Sequence, residues 1–137
     1  MKSLVVDDDF TCAYIYKTLL SNYGSCESLA NGPDAIEAYK TSLDKGNPYD
    51  LIILDIMMPD MNGYEVLKNI RLLEEKRQLS FPFVVKIILA TSLDDIENRQ
   101  YEQKLDNFIE AYLVKSNNPN DLLDKLNLLG FDVSEPV

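Results

Sequence analysis

The sequence contains no histidine and only two cysteines. Without histidine, the chain cannot use histidine-based acid–base catalysis, act as a histidine phosphocarrier or build most kinds of zinc site. Cys12 and Cys26 lie too far apart in the sequence for a metal-binding motif, and we expect both to be reduced. The chemistry available to this chain is therefore that of carboxylates, hydroxyls and lysine.

Long apolar runs and excess positive charge are also missing. No run approaches the ~18–20 apolar residues that span a bilayer, and the run at 4–6 is too short for a secretory signal. With 23 acidic and 13 basic residues the net charge is −10, which repels the phosphate backbone of nucleic acids. We therefore expect a cytoplasmic protein that binds neither membrane nor nucleic acid.

Short apolar runs alternate with longer amphipathic segments along the whole chain. The runs predict strands at 4–6, 26–29, 51–54, 84–90 and 109–114. The segments between them predict helices at 10–20, from 33 onwards, at 64–76, at 94–104 and after Asn118-Pro119. This alternation predicts an α/β fold, a doubly wound five-stranded parallel sheet of flavodoxin-like order 2-1-3-4-5 with five helices on both faces. We expect one domain over 1–130, a short tail over 131–137 and no output domain.

Polar side chains follow four of the predicted strands, at the point where each strand ends. These are the acids at 7–9, Asp55, Thr91 and Lys115. The carboxyl ends of parallel strands meet at one edge of a sheet, so these groups are expected to converge on one small ligand. Several carboxylates in one place need a cation, and an all-oxygen site suits magnesium. With lysine and a hydroxyl added, the set predicts a cradle for a phosphoryl group, with a carboxylate as the nucleophile.

The same residues resemble the receiver domain of bacterial two-component response regulators. The resemblance rests on the ordered combination of Leu4-Val5-Val6-Asp7-Asp8, Asp55-Ile56-Met57-Met58-Pro59 with Met61-Asn62-Gly63, Thr91, and Tyr112-Leu113-Val114-Lys115. It extends from residue 4 to about residue 129. Each feature alone is weak, whereas all of them in this order are highly specific.

The resemblance implies a metal-assisted phosphoacceptor. Asp55 would accept the phosphoryl group and also ligate Mg2+ (or Mn2+). Asp8 would bind the cation directly, Asp7 would bind it through water, and the carbonyl of Met57 would complete the protein ligands.

The resemblance also implies the catalytic and switch residues. Lys115 would pair with Asp55 and then with the phosphoryl oxygens, and Thr91 would hydrogen-bond the phosphoryl group. Tyr112 would turn inward as Thr91 shifts, which makes these two residues a bistable element.

Partners follow from the same resemblance. The phosphoryl donor would be a histidine kinase or a histidine phosphotransfer protein. The downstream protein target would bind the face formed by the fourth helix, fifth strand and fifth helix. The chain would not be an enzyme, apart from catalysing its own phosphotransfer and dephosphorylation.

Several features stand out against the family pattern. Ser116 stands where proline is usual after Lys115, which leaves open whether the bond between them is cis or trans. The segment 72–85 is longer than usual, and Lys86 interrupts the fourth strand pattern, so that strand is expected to begin at Ile87. Met57 and Leu93, which flank the site, are apolar, and this predicts slow loss of the phosphoryl group.

Two other functions remain open from the sequence. Asp7, Asp9 and Thr11 match the signature of haloacid dehalogenase-like phosphatases, in which Asp7 would be the nucleophile and Asp9 the acid–base. The chain could instead be a receiver-like binding module that is never phosphorylated. Against the first, Asp9 fits the pattern of a helix N-cap, and the phosphatase reading leaves Asp55 unexplained.

Overall fold

The computed structural model describes residues 1–92, 108–115 and 118–136. Its strands are β1 (Ser3–Val6), β2 (Cys26–Leu29), β3 (Leu51–Asp55), β4 (Lys86–Thr91) and β5 (Ala111–Val114). Its helices are α1 (Phe10–Leu20), α2 (Gly32–Asp44), α3 (Gly63–Lys76) and α4 (Asn120–Leu128), with a short 3-10 turn at Ser21–Tyr23. The predicted elements in this part of the chain are thus present, displaced at their ends by a residue or two.

The five strands form one parallel sheet of order β2-β1-β3-β4-β5. The predicted doubly wound, flavodoxin-like sheet is therefore confirmed. Of the five predicted helices, four lie in the described ranges, and the predicted helix 94–104 lies outside them. None of the helices in the described residues is both long enough and apolar enough to cross a membrane.

Apolar side chains fill both faces of the sheet, because the inner strands are covered on both sides. Leu4 and Val6 of β1 pack with residues of α2 and α3, whereas Val5 packs with residues of α1 and α4. Val133 is buried in the second of these clusters, so the segment after α4 contributes to the core. The helices therefore hold the strands at fixed positions beneath the candidate site.

Polar side chains cap three helices in the loops that follow the strand ends. Asp9 caps α1 and accepts the N–H groups of Thr11 and Cys12, which confirms the capping prediction for Asp9. Asn31 and Asn62 cap α2 and α3 in the same way. The loops from strand to helix are thereby kept close to the sheet.

The fourth strand differs from its prediction. It begins at Lys86 and not at Ile87. The ammonium of Lys86 leaves the sheet, donates to the carbonyl of Leu129 at 2.7 Å and lies 4.9 Å above the ring of Phe131. A lysine fits this strand because its charged end reaches a carbonyl and an aromatic ring at the edge of the core.

Glu74 of α3 is a buried carboxylate that joins three elements. It is 2% exposed and accepts hydrogen bonds from the Tyr39 hydroxyl of α2 at 2.7 Å and from the Val85 N–H at 2.8 Å. The Arg71 guanidinium donates to its other oxygen at 2.8 Å. The network ties α2, α3 and the start of β4 together.

We expect Glu74→Ala to lower the free energy of unfolding by about 3 kcal/mol, because the substitution leaves buried donors and a guanidinium without an acceptor. Urea unfolding followed by circular dichroism measures this change. The matched control is Glu75→Ala at the exposed neighbouring position, for which the change should stay below about 0.5 kcal/mol. Equal effects of the two substitutions would contradict the role given to Glu74.

Candidate functional site

The predicted site residues lie together at the carboxyl ends of the strands. Asp7 follows β1 directly, Asp55 ends β3, Thr91 ends β4, and Lys115 follows β5. The sheet order makes β1, β3 and β4 neighbours. The N–H of Lys115 donates to the carbonyl of Thr91 at 2.7 Å, which holds the lysine at the level of the other three residues.

Three carboxylates and one ammonium form the centre of the site. Ligand oxygens of Asp7, Asp8 and Asp55 all lie within 4.8 Å of one another. Asp7 and Asp55 are buried, whereas Asp8 is exposed. The Nζ of Lys115 lies 2.8 Å from Oδ2 of Asp7 and 3.1 Å from Oδ1 of Asp55. The lysine therefore bridges the two buried carboxylates.

Backbone N–H groups orient both buried carboxylates. Oδ1 of Asp7 accepts the N–H of Asp9 at 2.9 Å, and Oδ1 of Asp55 accepts the N–H of Met57 at 3.3 Å. The side chain of Met57 is 59% exposed and lies at the rim of the site. A role for its carbonyl as a metal ligand stays a prediction.

Gly63 allows α3 to begin against the backbone of Asp55. Its N–H donates to the carbonyl of Ile56 at 2.8 Å. A Cβ at this position would lie 2.4 Å from the Asp55 carbonyl oxygen and 2.8 Å from the Cα of Ile56. In the sequence, Gly63 is recognisable only as a member of the Met61-Asn62-Gly63 motif. The close approach of two backbones is the physical reason for it.

Thr91 and Tyr112 lie on one face of the sheet. Tyr112 pairs with Leu89 in the parallel register, and Leu89 and Thr91 are two residues apart on β4, so the three side chains share a face. Thr91 is buried and its hydroxyl donates to the carbonyl of Ser92 at 3.2 Å. Tyr112 is half-buried and packs against the core beneath α2 and α3. The two residues occupy diagonal positions on one face of the β4–β5 pair, which is compatible with a switch, and the switch itself stays a prediction.

The charges of the site shift the pKa values of its members. Burial, followed by the negative charge of Asp7, raises the pKa of Asp55 to about 7, although Lys115 and the Met57 N–H act in the opposite direction. Burial acts to lower the pKa of Lys115, but hydrogen bonds and charge from Asp7 and Asp55 outweigh it and raise this pKa above its ordinary value. The site therefore holds more negative charge than one lysine can neutralise.

Such a cluster suits a hard divalent cation. Its potential ligands are carboxylate oxygens from Asp7, Asp8 and Asp55, with no nitrogen or sulfur among them. Hard cations such as Mg2+ prefer these oxygen ligands and need only a few of them. Ser116 and Leu93, for which the sequence raised questions, lie outside the described residues. Lys115 itself reaches both carboxylates.

A family model for the response regulator receiver domain matches residues 3–127. The chain belongs to the response regulator receiver family. The match takes in each predicted site residue and all five strands of this receiver domain. The resemblance seen in the sequence is thereby confirmed, and with it the class of function, a phosphorylation-dependent switch in two-component signalling.

Curated relatives contain the receiver as one part of a larger protein. Hybrid signal transduction histidine kinase L of Dictyostelium discoideum is 37% identical over 120 residues, which is 84% of this chain and 7% of the kinase. The CpxR homolog of Haemophilus influenzae, a transcriptional regulatory protein, is 30% identical over 96% of this chain and 58% of its own length. The receiver therefore spans about half the length of such regulators and a small part of the hybrid kinase.

Solved structures of similar sequence share the fold. The response regulator TrrA of Thermotoga maritima, in complex with Mg2+ and beryllium fluoride, is 29% identical with a TM-score of 0.72 and covers 93% of this chain and 97% of its own. The chemotaxis protein CheY4 of Vibrio cholerae is 27% identical with a TM-score of 0.71, covering 93% and 96%. Both matches extend over nearly the whole receiver.

The phosphatase alternative loses its acid–base residue in this geometry. Asp9 uses its carboxylate to cap α1, and Oδ2 of Asp7 contacts Lys115. Asp55, which that alternative leaves unexplained, lies within the cluster. The family match and the geometry both favour the receiver.

In the absence of divalent cations, we expect Asp55→Asn to raise the free energy of unfolding at pH 8 by about 1–3 kcal/mol, because it removes a buried like charge. The pKa of Asp55 is about 7 in the folded chain and higher than in the unfolded chain. The folded wild type therefore binds more protons, and its stability falls as pH rises from about 4 towards 7. The gain in the free energy of unfolding of Asp55→Asn over the wild type should therefore grow from about pH 4 to about pH 7 and stay constant at higher pH.

Urea unfolding in EDTA at several values between pH 4 and 8 measures this gain. Asp60→Asn, at an exposed aspartate in the loop after β3, is the control and should show no such pH dependence. A gain for Asp55→Asn that is the same at pH 4 and pH 8 would contradict the assignment.

Proposed function

We propose that this receiver domain accepts a phosphoryl group on Asp55, with Mg2+ or Mn2+ bound by Asp7, Asp8, Asp55 and the Met57 carbonyl. The observation that carries the proposal is the convergence of three carboxylates at the carboxyl ends of the strands, two of them in contact with Lys115. Asp55 is the member of this cluster that ends the central strand, between β1 and β4. It is therefore the carboxylate surrounded by the other groups.

In the proposed reaction, a carboxylate oxygen of Asp55 attacks the phosphorus of a phosphohistidine. A P–O bond forms, the P–N bond breaks, and the histidine nitrogen of the donor takes the electron pair and a proton from solvent water. When bound, the cation would supply positive charge to the transferred oxygens. Lys115 supplies a second positive charge, already placed 3.1 Å from Asp55.

The proposed switch follows from the change of charge on Asp55. Phosphorylation replaces a carboxylate that shares Lys115 with Asp7 by a dianionic group with more acceptor oxygens. Thr91 would turn its hydroxyl from the Ser92 carbonyl to the phosphoryl group, and Tyr112 on the same face would occupy the space released.

The proposed partners are a histidine kinase or histidine phosphotransfer protein as donor and a protein target as receiver of the signal. The target face would consist of the predicted helix 94–104, β5 and α4. The predicted helix lies outside the described residues, whereas β5 carries both Tyr112 and, at its end, Lys115. A receiver-like module that is never phosphorylated is less well supported, since the acidic cluster and lysine needed for phosphotransfer are assembled.

We expect the purified chain to gain one phosphoryl mass when incubated with acetyl phosphate and Mg2+, because the small donor needs only the site itself. Intact-mass spectrometry measures the gain. Asp55→Ala should abolish the gain, and omission of Mg2+ should slow the reaction about a hundredfold or more, roughly the rate effect of losing one charge-stabilising group.

Asp60→Asn, in the exposed loop beyond Met57, serves as the control and should be phosphorylated like the wild type, because asparagine tolerates the positive φ of 68° at this position. A wild-type chain that gains no mass under these conditions would support the unphosphorylated module. A gain that persists in Asp55→Ala would place the acceptor elsewhere.

We also expect slow loss of the phosphoryl group, with a lifetime well above seconds, because the apolar side chain of Met57 offers attacking water no hydrogen bond. Met57→Asn should shorten this lifetime several-fold by supplying an amide at the exposed rim. Mass spectrometry after removal of acetyl phosphate gives both lifetimes, with Met57→Leu as the apolar control. Loss within seconds in the wild type would contradict this expectation.

A further inference from the structure

Arg71 of α3 contacts several backbone segments at the amino ends of β4 and β5. Asp55 lies at the other end of the sheet, at the carboxyl ends of the strands. Its guanidinium donates to the carbonyls of Phe108 at 2.7 Å and Val85 at 2.8 Å. It also contacts the carboxylate oxygens of Glu110 at 3.2 and 3.4 Å, in addition to its bond with Glu74. The Arg71 side chain is 14% exposed and that of Glu110 is 26% exposed, so the contacts of Arg71 with Glu74 and Val85 are more deeply buried than those with Phe108 and Glu110.

Glu110 lies immediately before β5 and bonds Ile87 of β4 in both directions. The N–H of Glu110 donates to the Ile87 carbonyl at 3.0 Å, and the Ile87 N–H donates to Oε2 of Glu110 at 2.6 Å. In a regular parallel ladder a backbone carbonyl of the neighbouring strand accepts such an N–H. Here a side-chain carboxylate takes that place, and Arg71 holds the carboxylate.

We propose that Arg71 and Glu110 form a clasp that sets where β5 begins along β4, and so positions Lys115 at Asp55. Both are positioning residues, since neither touches the reacting groups. The inference rests on the proposed function, because it gives these residues a role in the same phosphotransfer. It means that contacts at the amino ends of β4 and β5 help to set the geometry of the site.

The length and place of β5 make its register sensitive to the contacts at its two ends. β5 has four residues and, among the described strands, lies at the edge of the sheet, where it pairs with β4. A shift of one residue would move its end by ~3.3 Å and turn each side chain to the other face. Lys115 contacts Asp55 at 3.1 Å, so even part of this shift would break the contact. Tyr112 would be displaced with it.

Helix α3 connects the clasp to the acceptor. Its first residue, Gly63, is bonded to Ile56 beside Asp55. Arg71 follows eight residues later, about 12 Å along the helix axis. Helix α3 therefore contacts both the end of β3, where Asp55 lies, and the segment that leads into β5, the strand that Lys115 follows.

The test compares Glu110→Ala and Glu110→Gln with the wild type. Glutamine keeps an oxygen that can accept the Ile87 N–H, whereas alanine removes the acceptor altogether. Glu27→Ala is the matched control, since Glu27 lies on the opposite edge strand β2 and its carboxylate also accepts a hydrogen bond, from Tyr49 at 3.0 Å. Rates of phosphorylation by acetyl phosphate in saturating Mg2+ are measured across donor concentrations, at temperatures equally far below each unfolding midpoint.

We expect Glu110→Ala to lower the maximal rate about tenfold or more, with little change in the donor concentration that gives half of it, because misplaced catalytic groups slow the chemical step. Glu110→Gln should recover most of the rate, and Glu27→Ala should keep it. A Glu110→Ala rate equal to that of the wild type or of Glu27→Ala would overturn the proposal.

A second measurement separates this inference from the proposed function. Amide hydrogen exchange of Lys115, whose N–H is bonded to Thr91, is recorded by NMR in the unphosphorylated chain. Faster exchange at Lys115 in Glu110→Ala than in Glu110→Gln or Glu27→Ala is expected. This result would support the clasp even if the wild type accepts no phosphoryl group, in which case the proposed function alone fails. Unchanged exchange at Lys115 in Glu110→Ala would overturn the clasp.

Discussion

The ammonium of Lys115, held between the carboxylates of Asp7 and Asp55, is the interaction on which the candidate site depends. Two buried carboxylates repel each other, and taking them out of water costs several kcal/mol per ion unless a partner is present. Lys115 provides that partner at 2.8 and 3.1 Å, so β1, β3 and β5 must all end at the same level of the sheet. The positions of the strands are therefore set by electrostatics as well as by apolar packing.

Helix α3 helps to hold the strands at the positions that this interaction requires. At its start, Gly63 lets the helix approach the backbone of Asp55 so closely that no side chain fits. Farther along, Glu74 and Arg71 bind the segments that lead into β4 and β5. Charged groups buried with good partners can fix one arrangement of neighbouring elements even where they add little net stability. In this chain they join the two ends of the sheet.

The sequence was sufficient to predict the strands and the convergence of Asp7, Asp55 and Lys115, for a physical reason. Strands covered on both faces are short apolar runs, and Asp7, Asp55 and Lys115 stand directly where such runs stop. The sequence did not reveal the contacts of Arg71, Glu74 and Glu110. These join residues up to 39 positions apart, and a charged residue on an amphipathic helix has the same pattern whether water or a distant carboxylate surrounds it. The start of β4 at Lys86 was missed similarly, because the carbonyl that accepts its ammonium comes from beyond α4.

A change of charge at Asp55 would affect the two ends of β5 differently. The carboxyl end is held by the bond from Lys115 to Thr91 and by an ion pair whose partner, Asp55, would change charge on phosphorylation. The amino end is held by Glu110, Ile87 and Arg71, none of which contacts Asp55, Asp7 or Lys115 through the bonds described above. A short strand fixed at one end and altered at the other would concentrate any movement in its last residues. Thr91 lies at that end of the β4–β5 ladder, opposite Val114, and Tyr112 lies on the same face two positions before Val114, so a local change of charge would act on this face.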